Sequence, residues 1–279
     1  MGRTLPAAVR RRSITRALGA VNWRLLGLAV VWTLNTVGLA VILLAFLNAD
    51  VGFDWILFTE AGSRFAEGGL YDWAGTVSYR YSPVLAAFFA VITPIGYLGW
   101  SALHFGALLA LPRRMAVFAL LAFPFWADVY NGNTMTFVFV AAAAALAGSR
   151  AGALGFLALT ILIPRPLMLP IAIWLLWKRR EFILPFALIF LAHAGLVVAS
   201  GWGDEWVANL VTRGTDDLAN RGDFGPSRLI GLWWYPVGLI VAAWFAMRGR
   251  LGLASVAASP YWLSHYFLML LLEIRPRHR

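Results

Sequence analysis

The polar groups of this chain are few and unevenly placed, and the uneven places are where chemistry can be sought. Ten of its 13 acidic residues fall in two stretches, with Asp50, Asp54, Glu60, Glu67 and Asp72 in 48–82, and Asp204, Glu205, Asp216, Asp217 and Asp223 in 201–228. A carboxylate within reach of a hydroxyl can take its proton. The cations nearest to polar sequence are Arg80, beside Tyr81, and Arg165, set between Pro164 and Pro166. A guanidinium matches the geometry of a phosphate. His265 stands in an apolar stretch, and Asn131 and Asn133 flank Gly132 in a turn. Each also has a purely structural reading: Arg80 as an interfacial side chain with its head in water, His265 as a packed imidazole, the asparagines as turn formers. The absence of cysteine sets aside disulfides and Cys-ligated metals. There is no His/Asp/Glu cluster at metal-ligand spacing, no Asp-x-Asp triplet and no Gly-rich phosphate loop. No metal or cofactor is therefore expected, and a nucleotide-sugar enzyme is disfavoured.

The elements that must position these groups follow from composition. Hydrophobic residues make up 61% of the chain, charged ones 13%, and the mean hydropathy is +0.74. Soluble domains run to roughly 45–50% apolar and about 25% charged. The expected fold is all-α, a polytopic transmembrane helical bundle of about eight to ten segments, and residues 1–279 form one membrane domain. The net charge of +10 does not indicate nucleic acid, because the arginines punctuate apolar runs, as the positive-inside rule requires, and attract anionic lipid headgroups. The basic N-terminus, 1–24, is placed in the cytoplasm. Apolar runs at 25–47, 83–111, 115–130, 134–148, 182–200 and 229–247 alternate in direction. The run 83–111 reads as one tilted or kinked crossing despite Thr93-Pro94-Ile95-Gly96. Runs 151–177 and 251–272 have basic residues at both ends and proline at the centre, and are expected to be broken, since a charged break in a lipid-facing helix is costly. This arrangement puts both acidic loops, 48–82 and 201–228, on the extracytoplasmic side of the cell membrane.

In the first loop, Trp55, Phe58, Ala61, Gly62 and Phe65 fall at helical spacing on one face, with Glu60, Arg64 and Glu67 on another. This predicts an amphipathic helix in the interface, with Glu60–Arg64 as a favourable i,i+4 pair. Asp54 stands at its start, and spacing alone favours an N-cap role worth about 1 kcal/mol. Tyr81 and the tryptophans Trp55, Trp73, Trp202, Trp206, Trp233 and Trp234 fit an aromatic belt, though some could stack on a sugar.

Four stretches in order carry a resemblance. Phe53-Asp54, Gly68-Gly69-Leu70-Tyr71 and Tyr79-Arg80-Tyr81-Ser82-Pro83 make up the first; Tyr130-Asn131-Gly132-Asn133, Ile163-Pro164-Arg165-Pro166 and Ser259-Pro260 with His265-Tyr266 follow. Together the chain resembles polyprenyl-phosphate-sugar-dependent glycosyltransferases of the GT-C fold, most nearly glycosyltransferase family 87, the bacterial alpha-mannosyltransferase-like group. It departs from that pattern in having no Gln, with Asn131 in a shifted place, in the displaced basic residue of Arg165, and in being shorter. The resemblance implies transfer of a hexose, mannose in that family, from a polyprenyl-phosphate donor to an extracytoplasmic lipid or glycan acceptor. It makes Asp54 the catalytic base. Arg165, Arg80 and His265 become candidates to hold the departing phosphate, and Tyr81, Asn131 and Asn133 candidate substrate contacts. The competing readings are a transporter or flippase of a lipid-linked substrate, whose signatures also include broken helices and buried charge, and a non-catalytic envelope-assembly subunit.

The topology is testable in a chain that has no cysteine to remove. Asp54→Cys and Asp216→Cys are expected to react with an impermeant thiol reagent from outside intact cells, and Arg179→Cys only after permeabilisation. Labelling of either loop from the cytoplasmic side alone overturns the assignment.

Overall fold

The computed structural model describes residues 23–48, 50–72, 79–213 and 225–274. The N-terminal segment 1–22, Trp73, Asp216, Asp217, Asp223 and the C-terminal arginines lie outside the described residues. Among the described residues every regular element is a helix. In chain order these are α1 (Trp23–Asn48), α2 (Phe53–Glu67), α3 (Pro83–Ile92), α4 (Gly96–Leu108), α5 (Arg113–Leu121), α6 (Phe123–Asn131), α7 (Met135–Leu146), α8 (Arg150–Leu162), α9 (Leu169–Lys178), α10 (Ile183–Ala199), α11 (Gly203–Arg213), α12 (Ser227–Ile230), α13 (Trp234–Met247) and α14 (Leu251–Ala258), followed by the 3-10 helix Ser264–Ile274. Four stretches are long and apolar enough to cross a membrane, Leu25–Asn48, Pro83–Leu108, Arg180–Ala199 and Ser227–Met247. Met135–Leu146, Arg150–Leu162, Pro166–Lys178 and Ser264–Ile274 are shorter apolar helices. Leu34, Leu188, Ile240 and many similar side chains face outward, an exterior suited to an apolar solvent rather than water.

The breaks fall where proline stands. Proline forces the residue before it into extended backbone, and Ile163 (φ −127°) and Arg165 (φ −128°, ψ 134°) end α8 in that way. Ser259 (φ −82°, ψ 127°) ends α14 likewise. Freed backbone groups find partners. Trp234 Nε1 donates to Ser259 O at 2.9 Å, and Ser227 N to Pro260 O at 3.0 Å. At the joint between α5 and α6, Asn35 of α1 accepts from Phe123 N and donates to Leu121 O (2.9 and 3.0 Å). An amide in an apolar helix is thereby satisfied while it mends the neighbouring break.

The bend at Thr93–Ile95 is sharper than a tilted crossing. The rings of Phe89 and Trp100 lie 5.3 Å apart, whereas residues eleven apart in an unbroken helix are separated by about 16 Å along its axis. Trp55 meets both rings at 5.9 and 5.6 Å, so the bend wraps around α2.

The amphipathic helix forms as its periodicity requires. Trp55, Phe58, Ala61 and Gly62 are buried, and Arg64 pairs with Glu60 at 2.8 Å. Its apolar stripe is covered by α3, which packs along it. The approach is close enough that a Cβ on Gly62 would sit 2.6 Å from the backbone nitrogen of Ala90. Beneath lies the main core, in which Met135, Phe139, Phe156, Leu167, Met168, Ile171 and Leu268 interlock. Gly62→Ala is expected to destabilise the protein by about 1–3 kcal/mol through this overpacking, read as a lower Tm in detergent. An unchanged Tm would show that α2 and α3 can separate freely.

Candidate functional site

Four segments distant in sequence meet around one side chain. Asn133 follows α6 across a tight turn, in which Gly132 at φ +68° closes the helix. Only glycine fits there without strain, and a Cβ would also meet the Cβ of Trp55 at 2.7 Å. The turn is pinned from several sides. Gly52 N donates to Tyr130 O (2.8 Å), Trp100 Nε1 to Gly132 O (2.9 Å) and Tyr97 OH to Val129 O (2.8 Å).

From that turn, Asn133 Nδ2 donates to Asp54 Oδ2 at 2.6 Å. Its Oδ1 accepts from Nη1 and Nη2 of Arg165, both at 3.2 Å, and from Thr134 N at 2.6 Å. Arg165 Nη2 also donates to Tyr81 OH at 2.7 Å. The guanidinium carbon lies 5.4 Å from the ring centroids of both Tyr81 and Tyr266, within cation–π range. The amide thus stands between a carboxylate and a guanidinium, presenting a donor to one and an acceptor to the other.

Arg165 is 4% exposed, and among the described residues no carboxylate pairs with it. A buried charge ordinarily needs a counter-charge. Here an amide oxygen, a phenol and two aromatic faces stand in its place, and N–H donors of the guanidinium remain unused. His265, 3% exposed, lies within electrostatic reach of Arg165 and Asp128, and neither of its ring nitrogens has a hydrogen-bond partner. Unused donor capacity in one buried place is chemically suited to an anion.

Tyr81 is held by its loop. Tyr71 OH donates to Tyr81 O (2.9 Å) and Tyr79 OH to Ser82 O (2.8 Å). Ser82 caps α3 by accepting from Val84 N (3.1 Å) and lies 2.6 Å from His193 Nε2 of α10. Burial pushes the Tyr81 hydroxyl above its ordinary pKa, with Arg165 opposing the shift. The phenol therefore stays neutral and accepts from Arg165.

The structure brings together Asp54, Asn133, Arg165 and Tyr81, with His265 adjacent. Among the described residues no hydrogen bond joins the other two candidates, Asn131 and Arg80, to this group. Asn131 Nδ2 donates to Ala127 O one turn back along α6 (2.8 Å). Arg80 is joined to α11 through its carbonyl, which accepts from Trp206 Nε1 at 3.2 Å; no hydrogen bond links it to Asn133 or Arg165. The cap expected at Asp54 is also corrected, since Gly52 occupies the N-cap in left-handed conformation with no side-chain cap, and Asp54 turns to Asn133. Three groups escaped the sequence reading, namely His104, Asp128 and Tyr266 as a stacking face. The signal available for Asp128 was its isolation, one carboxylate in the apolar run 115–130, which is by default worth a hypothesis. No cluster of three or more potential metal ligands occurs among the described residues.

The two asparagines of the turn separate in their effects. Asn133→Ala is expected to cost about 1–3 kcal/mol, because it strips partners from a buried guanidinium and a carboxylate. Asn131→Ala is expected to stay within about 0.5 kcal/mol. Thermal unfolding of both variants in the same detergent checks the ordering, and equal effects would contradict the central place given to Asn133. No family model, no curated protein and no solved structure matches the chain.

Proposed function

We propose that this protein is a polytopic membrane glycosyltransferase that moves a hexose from a polyprenyl-phosphate donor to an extracytoplasmic lipid or glycan acceptor. The observation that carries the reading is Arg165, a buried guanidinium with no carboxylate partner among the described residues, one amide away from Asp54. The four long apolar helices support a membrane setting. The acceptor hydroxyl oxygen attacks the anomeric carbon, and its proton passes to Asp54. The bond from that carbon to the phosphate oxygen breaks, and its electron pair leaves with the phosphate. Arg165 then holds the departing phosphate. His265 offers a second contact, and Tyr81 and Tyr266 fix the guanidinium plane. A donor that already carries a good leaving group leaves little else for the protein to supply.

A lipid flippase is the second reading, favoured by the helix breaks that place charge among apolar segments. One pair of substitutions separates them. Asp54→Asn keeps the shape but removes the proton acceptor, and is expected to slow transfer by roughly 10²–10⁴-fold with the fold intact. Arg165→Ala is expected to raise the donor KM, because the phosphate loses its partner. The measurement is formation of glycosidic product from purified protein, lipid-phosphate sugar and a crude lipid acceptor. Lipid movement without product supports the flippase, and full activity in Asp54→Asn removes the base assignment.

A further inference from the structure

His104 and Asp128 are two fully buried ionisable groups that the proposed reaction does not use. They come from α4 and α6 and meet beneath the site. His104 Nε2 lies 2.8 Å from Asn133 O, and Nδ1 lies 2.9 Å from Trp100 O. Both ring nitrogens thus face carbonyl oxygens, an arrangement that calls for two N–H groups, and Asp128 Oδ2 at 3.5 Å supplies the balancing charge. Asp128 also accepts from Met135 N (3.2 Å), Thr136 N (2.7 Å) and Thr136 Oγ1 (2.7 Å), capping α7. Its backbone carbonyl accepts from Asn133 N at 3.0 Å. The N–H of Asn133 is therefore held by the main chain at Asp128 and its C=O by the His104 side chain.

We infer that His104 is a positioning residue, its imidazole holding the Asn133 carbonyl while the Asp128 backbone carbonyl takes the Asn133 N–H and the Asp128 carboxylate balances the imidazole, and that this sets the amide between Asp54 and Arg165. The kinetic consequence rests on the proposed transfer reaction; the geometry does not. A displacement of about 1 Å at a reacting group costs on the order of 10²-fold in rate, and an amide released from its peptide anchors can move that far.

Two substitutions at His104 in the full-length protein in lipid nanodiscs separate positioning from packing. His104→Phe keeps the ring against Trp100 and Phe137, whose centroids lie 5.4 and 4.8 Å away, but donates nothing. His104→Gln loses the ring and keeps an N–H. Positioning makes the Phe variant the worse, with kcat lower by about 10²-fold at little-changed KM, and Gln recovers part of the loss. A space-filling role gives the opposite order and overturns the inference. A second readout needs no turnover. The side-chain amide signal of Asn133 in asparagine-¹⁵N-labelled protein, assigned through Asn133→Asp, is expected to shift in His104→Phe. An unmoved signal in folded His104→Phe overturns the inference. A shifted signal in a protein that transfers no sugar upholds it, and it is then the transfer reaction that fails.

Discussion

A guanidinium buried to 4% exposure, paired with no carboxylate among the described residues, constrains everything near it. The Coulomb energy of an ion pair is missing, so hydrogen bonds and aromatic faces must hold the charge. That requirement explains why Asn133 presents its oxygen rather than its nitrogen to Arg165, since the reverse would set donors against donors. It follows that the nitrogen faces Asp54. One amide therefore fixes the relative placement of a positive and a negative group without letting them neutralise one another. Asp54 and Arg165 are both bonded to Asn133 and not to each other.

Holding one amide that firmly takes much of the local fold. The 129–134 turn is fastened to the start of α2 through Gly52 and Tyr130, to α4 through Tyr97, Trp100 and His104, and to α7 through the Asp128 cap. Aromatic packing between Trp55, Phe89 and Trp100 stiffens the same corner. On the opposite flank the 79–82 loop is tied to α10 and α11 by His193, Trp206 and Asn209. Arg165 itself is delivered by a helix break. Continuing α8 would carry the residue onward along the helix, whereas the two prolines impose extended backbone and swing it into the cluster.

The breaks show a common rule. In an apolar environment a freed N–H or C=O has no water to turn to, and two of the joints recruit a side chain from a neighbouring helix, with Asn35 serving the α5–α6 joint and Trp234 the end of α14. These polar side chains lie in stretches that hydropathy alone reads as featureless. Their positions are intelligible only as complements to a break elsewhere in the chain.

The sequence by itself determined the helical class, the amphipathic stripe of α2 and the proline breaks at Arg165 and Pro260, because composition, 3.6-residue periodicity and proline's fixed backbone act locally. It also pointed to Asp54, Arg165, Asn133, Tyr81 and His265, since polar residues stand out in a chain that is 61% hydrophobic. It did not distinguish Asn133 from Asn131, near neighbours of like chemistry whose difference lies in which way the backbone points them. Nor did it reveal that Asp54 turns from its own helix end to Asn133, or that α3 covers the stripe of α2. Those were decided by tertiary structure. Hydrogen bonds such as Asn133–Asp54 and Arg165–Tyr81 join residues 79 and 84 positions apart, and no local pattern encodes which distant partner a buried donor will meet.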